Sequence, residues 1–172
     1  MPIAFLSLVL AVALLQSPSK ATLPGARNVT RVDAVVMCGG ATTNEAYPAL
    51  KKEGFASVVN LRQADEAGVD IPGSRAAAEA AGLRYLHIPV DRSTPTEESV
   101  KSFLAAVADR ANQPVYIHCA SANRVGAMWL IKRVVVDGWD VQRATDEAAA
   151  IGLTSAPLRT FATEYAAAHR RK

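Results

Sequence analysis

The residues best suited to chemistry lie in one stretch, Val115-Tyr116-Ile117-His118-Cys119-Ala120-Ser121-Ala122-Asn123-Arg124. A short β-branched and aromatic run reads as a strand that delivers Cys119 into a turn of small residues, and a helix begins at about Arg124. A strand–loop–helix turn aims consecutive backbone N–H groups into one concavity, and the helix dipole adds about half a positive charge there. Such a nest holds a tetrahedral oxyanion and is the setting in which reactive cysteines occur. Arg124 adds a planar fork that can grip two phosphate oxygens at once. The small side chains of Ala120, Ser121 and Ala122 let an anion approach the backbone, so residues 120–124 form a candidate anion loop behind a candidate nucleophile.

A nucleophile and a cradle do not release an alkoxide or phenolate; a general acid must protonate the leaving oxygen. Asp91, in the loop Pro89-Val90-Asp91-Arg92-Ser93 after a strand, is the candidate. In an open parallel sheet the strand ends on one edge face a common crevice, and Asp91 and Cys119 both leave strands on that edge. Each residue also has a plainer reading: Cys119 as a packed thiol, Arg124 as a helix-bound cation, Asp91 as an acceptor for loop amides. For Arg124 the plainer reading is the poorer one, because a cation at a helix N-terminus opposes the dipole unless an anion is present. His118 reads as an anchor of the loop. Arg62, at a strand end on the same edge, steers phosphate or is a surface charge. Ser121 or Asn123 could donate to the nucleophile. Cys38 reads as a packed thiol; in an oxidising compartment, a bridge to Cys119 would block the nucleophile. With no His-x-x-x-His pair and no Cys-x-x-Cys, no metal and no cofactor are expected.

The positioning elements follow from pattern. Ala34–Met37 is a short strand ending in Cys38-Gly39-Gly40, and Thr43 opens a helix that Gly54 stops. Ala56–Leu61 is a buried strand, and 62–73 is a long polar loop. Ser74 starts an alanine helix, Leu83–Ile88 is a strand, and Thr94-Pro95-Thr96-Glu97 opens another helix. After the strand at 115–118 come helices over 124–137, 141–151 and 157–170. Strands alternating with helices predict an α/β fold, a three-layer α/β/α sandwich on a mostly parallel sheet of about four to five strands.

The chain has 172 residues, half of them hydrophobic, which predicts one domain with a real core. Nineteen Lys and Arg against sixteen Asp and Glu give +3, and the basic residues are scattered, which argues against nucleic acid as the partner. Ile3–Leu15 is apolar except for Ser7: short for a membrane span, but suited to the core of a secretory signal. Ser19-Lys20-Ala21 offers a cleavage site, so residues 1–21 are expected to be a signal peptide and 22–172 the mature domain, periplasmic or secreted and without a membrane span.

The run from His118 to Arg124 resembles the signature loop of cysteine-dependent protein phosphatases, with four residues between Cys and Arg where standard members have five and with Ala122 at the usual glycine. Together with Gly39-Gly40, Glu53-Gly54-Phe55, Val58-Val59-Asn60-Leu61-Arg62 and Pro89-Val90-Asp91, it is similar to a bacterial family of nonstandard, eukaryotic-like phosphatases, also found as the phosphatase-like domain of beta-lactamase hydrolase-like proteins. The resemblance spans about Val35 to Tyr165. It implies a dual-specificity-phosphatase-like fold and hydrolysis of phosphate monoesters, phosphotyrosine or similar, on a phosphorylated protein or a small molecule. Cys119 would become phosphorylated, Arg124 would hold the phosphate, and Asp91 would act as acid and then as base. Two other readings stand beside it: a rhodanese-like sulfurtransferase, which also presents Cys from a strand into a short loop, and a noncatalytic phosphate-binding module.

Overall fold

The computed structural model describes residues 17–170. Six strands and six α-helices run in the order β1 (Ser19–Ala21), β2 (Val29–Arg31), β3 (Val36–Gly39), α1 (Ala46–Lys52), β4 (Ser57–Asn60), α2 (Ile71–Ala80), β5 (Arg84–His87), α3 (Glu97–Ala108), β6 (Val115–His118), α4 (Asn123–Val135), α5 (Val141–Ile151) and α6 (Ala156–His169). They build one sheet of order β1-β2-β3-β6-β4-β5. The four strands β3, β6, β4 and β5 are parallel, and β1 and β2 add antiparallel at one edge.

Strand period and helix faces make the layers. Side chains alternate across a strand. Val36, Cys38, Val59, Val115 and Ile117 therefore face one side, where they pack with residues of α3, α4, α5 and α6. Met37, Val58, Tyr85 and Tyr116 face the other, against Tyr47 and Leu50 of α1 and Ala78 of α2. The expected three-layer α/β/α sandwich is the observed one. Helix α4 is buried nearly all round, from Arg124 to Ile131, as a helix does at the centre of a layer.

The sheet has six strands rather than four or five. The extra pair lies at the N-terminal edge, where three-residue strands carry too little periodicity to be read. Val29–Arg31 comes from the start of the expected mature domain, where no strand is read from the sequence, and Ser19–Ala21 from within the expected leader. The apolar run Ile3–Leu15 lies outside the described residues. Three helix starts also move, the first from Thr43 to Glu45, which precedes α1 without a side-chain cap bond. Asp70 caps α2 by accepting from the Gly73 amide at 2.9 Å, with Pro72 in the first turn, so the helix opens ahead of Ser74. Thr96, not Thr94, caps α3, accepting from the Ser99 amide at 3.1 Å.

Register brings the chemistry to one edge. Gly39 pairs with His118, His118 with Asn60, and Asn60 with His87, so β3, β6, β4 and β5 end in line. Cys119, Arg62 and Asp91 all follow those ends.

Candidate active site

Strand β6 is paired on both sides and fully buried, and Cys119 is the first residue beyond it. Its amide donates to Gly39 O at 3.3 Å, and the residue is buried. The chain then turns through exposed Ala120 and Ser121 to buried Ala122, which takes φ +71° and stands at the N-terminus of α4 without a side-chain cap. Among the described residues, the amides of Ala120, Ser121 and Ala122 donate to no protein oxygen. With the open first turn of α4 they supply the expected donors for an anion. Gly40 closes the floor of the loop: a Cβ there would lie 3.3 Å from Ala120 O. Arg92, Ala120, Ser121, Asn123, Arg124, Ser155 and Leu158 line a cavity of about 200 Å³ over the loop.

Arg124 is 3% exposed and firmly fixed. Its Nη1 donates to Glu66 Oε1 at 2.5 Å, to Val90 O at 3.0 Å and to Leu61 O at 3.3 Å, and its Nη2 donates to Glu66 Oε2 at 2.9 Å. A guanidinium has five N–H donors, so Nε and the second Nη2 hydrogen remain uncommitted to protein oxygens among the described residues. Cys119 lies near enough to this group to act on its charge. Burial works against the guanidinium charge, but the hydrogen bonds it donates to Glu66 and the Glu66 charge outweigh that and raise the Arg124 pKa. Glu66, with its side chain 7% exposed, is held down to about 2: burial pushes it up, and the Arg124 pair, the Gln63 amide and Arg62 overcome that.

Sequence reasoning missed Glu66, which lies in the 62–73 segment read only as a polar loop. A detectable signal existed: a carboxylate four residues after Arg62, just past a strand that ends on the catalytic edge. Arg62 itself turns to this loop, its Nε to Glu66 Oε2 at 3.2 Å and its Nη2 to Ala67 O at 2.7 Å, so it steadies Glu66 rather than reaching freely for phosphate.

Asp91 sits where expected, one residue after the Val90 carbonyl that binds Arg124. Its Oδ1 accepts from the Thr94 amide at 2.9 Å and the Ser93 amide at 2.7 Å. These bonds, the Thr94 amide first, lower its pKa. The acceptor role is therefore filled through Oδ1, with Oδ2 left over. His118 is buried, its ring stacked on Tyr116 at 5.8 Å, and neither ring nitrogen has a partner among the described residues. Burial drives its pKa down to about 3, so the ring is neutral and is held by packing rather than by a hydrogen bond to the loop.

Asn123 does not turn toward the nucleophile. Its Oδ1 accepts from the Thr154 and Ser155 amides, both at 2.7 Å, and its Nδ2 donates to Ser121 Oγ at 3.2 Å. Asn123 therefore ties the loop to the α5–α6 connection. Cys38 and Cys119 are both free thiols, and burial pushes the Cys38 thiol well up, as expected of a packed residue. Among the described residues no cluster of His, Cys, Asp or Glu could hold a metal ion, and no helix is long and apolar enough to cross a membrane.

A family model described as "DSP-PTPase phosphatase fused to NAD+ Kinase" matches residues 12–164. A beta-lactamase hydrolase-like protein of Agrobacterium fabrum is 35% identical over 89 residues, 49% of this chain and 20% of that protein. Its counterpart in Xylella fastidiosa is 29% identical over 116 residues, 66% of this chain and 26% of that protein. The chain thus spans about a fifth to a quarter of the length of these relatives. Among solved structures, a putative phosphatase (DUF442) from Shewanella putrefaciens superposes with a TM-score of 0.71 at 21% identity, over 86% of this chain and 94% of that one. The core catalytic domain of the PP-IP phosphatase Siw14 from S. cerevisiae, in complex with citrate, gives 0.69 at 16%, over 84% and 88%. P. aeruginosa TpbA in complex with pTyr gives 0.62 at 23%, over 83% and 89%.

Proposed function

Because the chain belongs to the family of DSP-PTPase phosphatases fused to NAD+ kinase, we propose that it hydrolyses phosphate monoesters through a phosphocysteine on Cys119. The observation that carries this reading is the Arg124 guanidinium. It is buried and clamped by Glu66, Leu61 O and Val90 O, with two N–H groups uncommitted to protein oxygens among the described residues, near Cys119 and the loop amides that are likewise unpaired among those residues.

The steps balance as follows. The Cys119 thiolate attacks phosphorus, an S–P bond forms and the P–O bond to the leaving group breaks. Asp91 gives its proton to the departing oxygen. Water then attacks phosphorus, Asp91 takes a proton from it, the S–P bond breaks and inorganic phosphate leaves with the thiolate restored. The amides of residues 120–124 and the Arg124 fork hold the equatorial oxygens in both steps. Asp91 is ionised in the resting loop, where the Thr94 and Ser93 amides favour the carboxylate. A phosphate dianion arriving at the loop raises that pKa by like-charge repulsion, which returns the proton the acid role requires.

An aryl phosphate such as phosphotyrosine, on a protein or free, is the substrate class proposed, and TpbA, a structural neighbour, binds pTyr. Export on the leader over residues 1–21 is the location proposed, and a cut after Ala21 would also remove β1. Purified protein is expected to turn over p-nitrophenyl phosphate, to lose this in Cys119→Ser, and to transfer no sulfur from thiosulfate. Thiosulfate sulfur transfer without ester hydrolysis would establish the rhodanese-like reading instead, and phosphate binding without either turnover the noncatalytic one.

A further inference from the structure

The N-terminal strand is linked to the loop by a relay of two side chains, Lys20 and Asn28, that the reaction above does not use. Lys20 of β1 spends all three ammonium donors: on Asn28 Oδ1 at 2.9 Å, Thr30 Oγ1 at 3.0 Å and Ala150 O at 2.9 Å. The last is a carbonyl in the final turn of α5, where a cation complements the helix dipole. Asn28 adopts φ +50°, a left-handed conformation that asparagine tolerates. Its amide, oriented by Lys20, donates through Nδ2 to Ser121 O at 3.2 Å.

That bond acts on a peptide plane. The C=O of Ser121 and the N–H of Ala122 belong to one trans peptide unit and point in opposite directions. A carbonyl held outward toward Asn28 therefore turns the Ala122 N–H inward, among the unpaired donors of the loop. Gly152 supports the same arrangement from the other side: a Cβ there would lie 2.6 Å from Asn28 Nδ2 and 3.0 Å from Ala122 Cβ.

We infer that Asn28 is a positioning residue that aims the Ala122 amide into the anion loop, and that Lys20 on β1 sets Asn28. Lys20 lies inside the expected leader, so its tether acts in the uncleaved chain and is lost on cleavage after Ala21, whereas Asn28 stays with the loop. This rests on the reading of residues 119–124 as an anion loop, and its test is separable from catalysis.

The experiment uses the full chain and three readouts: affinity for inorganic phosphate, amide hydrogen exchange across residues 119–128, and p-nitrophenyl phosphate kinetics. Asn28→Gly keeps the left-handed backbone without strain and removes only the side chain. Asn28→Asp keeps the acceptor for Lys20 but has no donor for Ser121 O. Both are expected to weaken phosphate binding about 3- to 10-fold, the effect of one lost hydrogen bond. Both should also speed exchange in the loop while β4 and β5 stay protected. Lys20→Met should act in the same direction more weakly, and Lys20→Arg should restore most of the effect. Wild-type exchange and phosphate affinity in Asn28→Gly would reduce Asn28 to a backbone role and overturn the inference. Where the wild type binds phosphate but hydrolyses nothing, the phosphatase reading fails while this one is still decided. Where the wild type binds no phosphate, loop exchange alone decides it.

Discussion

Glu66 holds Arg124 across 58 residues of sequence with both carboxylate oxygens, at 2.5 and 2.9 Å. The pair fixes the guanidinium plane before any substrate arrives, so the cost of ordering this long side chain falls on folding rather than on binding.

Glu66→Gln keeps the shape of that contact and removes its charge. Loss of a charge-assisted buried hydrogen bond is expected to lower stability by about 2 kcal/mol at pH 7. Added phosphate should recover part of the loss by supplying a new anion for Arg124. The Glu66 pKa is about 2 in the folded protein against an ordinary 4.5. Its contribution is therefore fully present above about 4.5 and is lost as pH falls through about 2. Urea unfolding of both proteins at pH 7 and near pH 2 checks this. A wild-type advantage of equal size at both would contradict the pairing.

His118 gives the second pH dependence. Its folded pKa is about 3 against an ordinary 6.5, so the unfolded chain binds the extra proton between those values and stability falls as pH drops through that window. Relative to His118→Phe, the wild type should lose about 2 kcal/mol on going from pH 7 to pH 5. Parallel pH–stability curves for the two proteins would show that the ring is not held neutral.

Asp91→Asn preserves the Oδ1 acceptor used by the Ser93 and Thr94 amides. Thermal stability should stay within about 0.5 kcal/mol of wild type. Turnover of alkyl phosphates should fall about 100-fold, with a much smaller loss for p-nitrophenyl phosphate, whose leaving group needs little help. Equal losses on both esters would remove Asp91 from the acid role.

Gly152→Ala places a methyl 2.6 Å from Asn28 Nδ2 on a backbone at φ +139°. Overpacking and backbone strain together should lower stability by about 2 kcal/mol and raise the phosphate concentration needed to half-saturate the loop. Calorimetry with and without phosphate measures both. An unchanged affinity would mean that the loop does not depend on its neighbour behind.

Much of this was legible in the residues. The run Val115–Ile117 is too apolar and β-branched to lie anywhere but the centre of the sheet, and the small residues after Cys119 could only form a turn. Asp91 was found because it follows a strand. For Glu66 the sequence offers only a carboxylate four residues after Arg62, and its pairing with Arg124, 58 residues on, depends on a loop folding back across the sheet edge, which local pattern does not encode. Asn28 and Lys20 were hidden for a different reason. Three-residue strands have no usable period, and an apolar leader drew the N-terminal residues out of the fold. Asn123, which shares with Ser121 the reading of a donor to the nucleophile, instead turns its carboxamide oxygen to residues 154–155.

Strand β6 is bonded to a parallel neighbour on each side and covered by helices on both faces. Its amides can exchange only when the whole molecule opens, so local fraying cannot displace the residue that follows it. Heat inactivation of this protein should accordingly track global melting, and the thiol should survive every partial opening that spares the middle of the sheet.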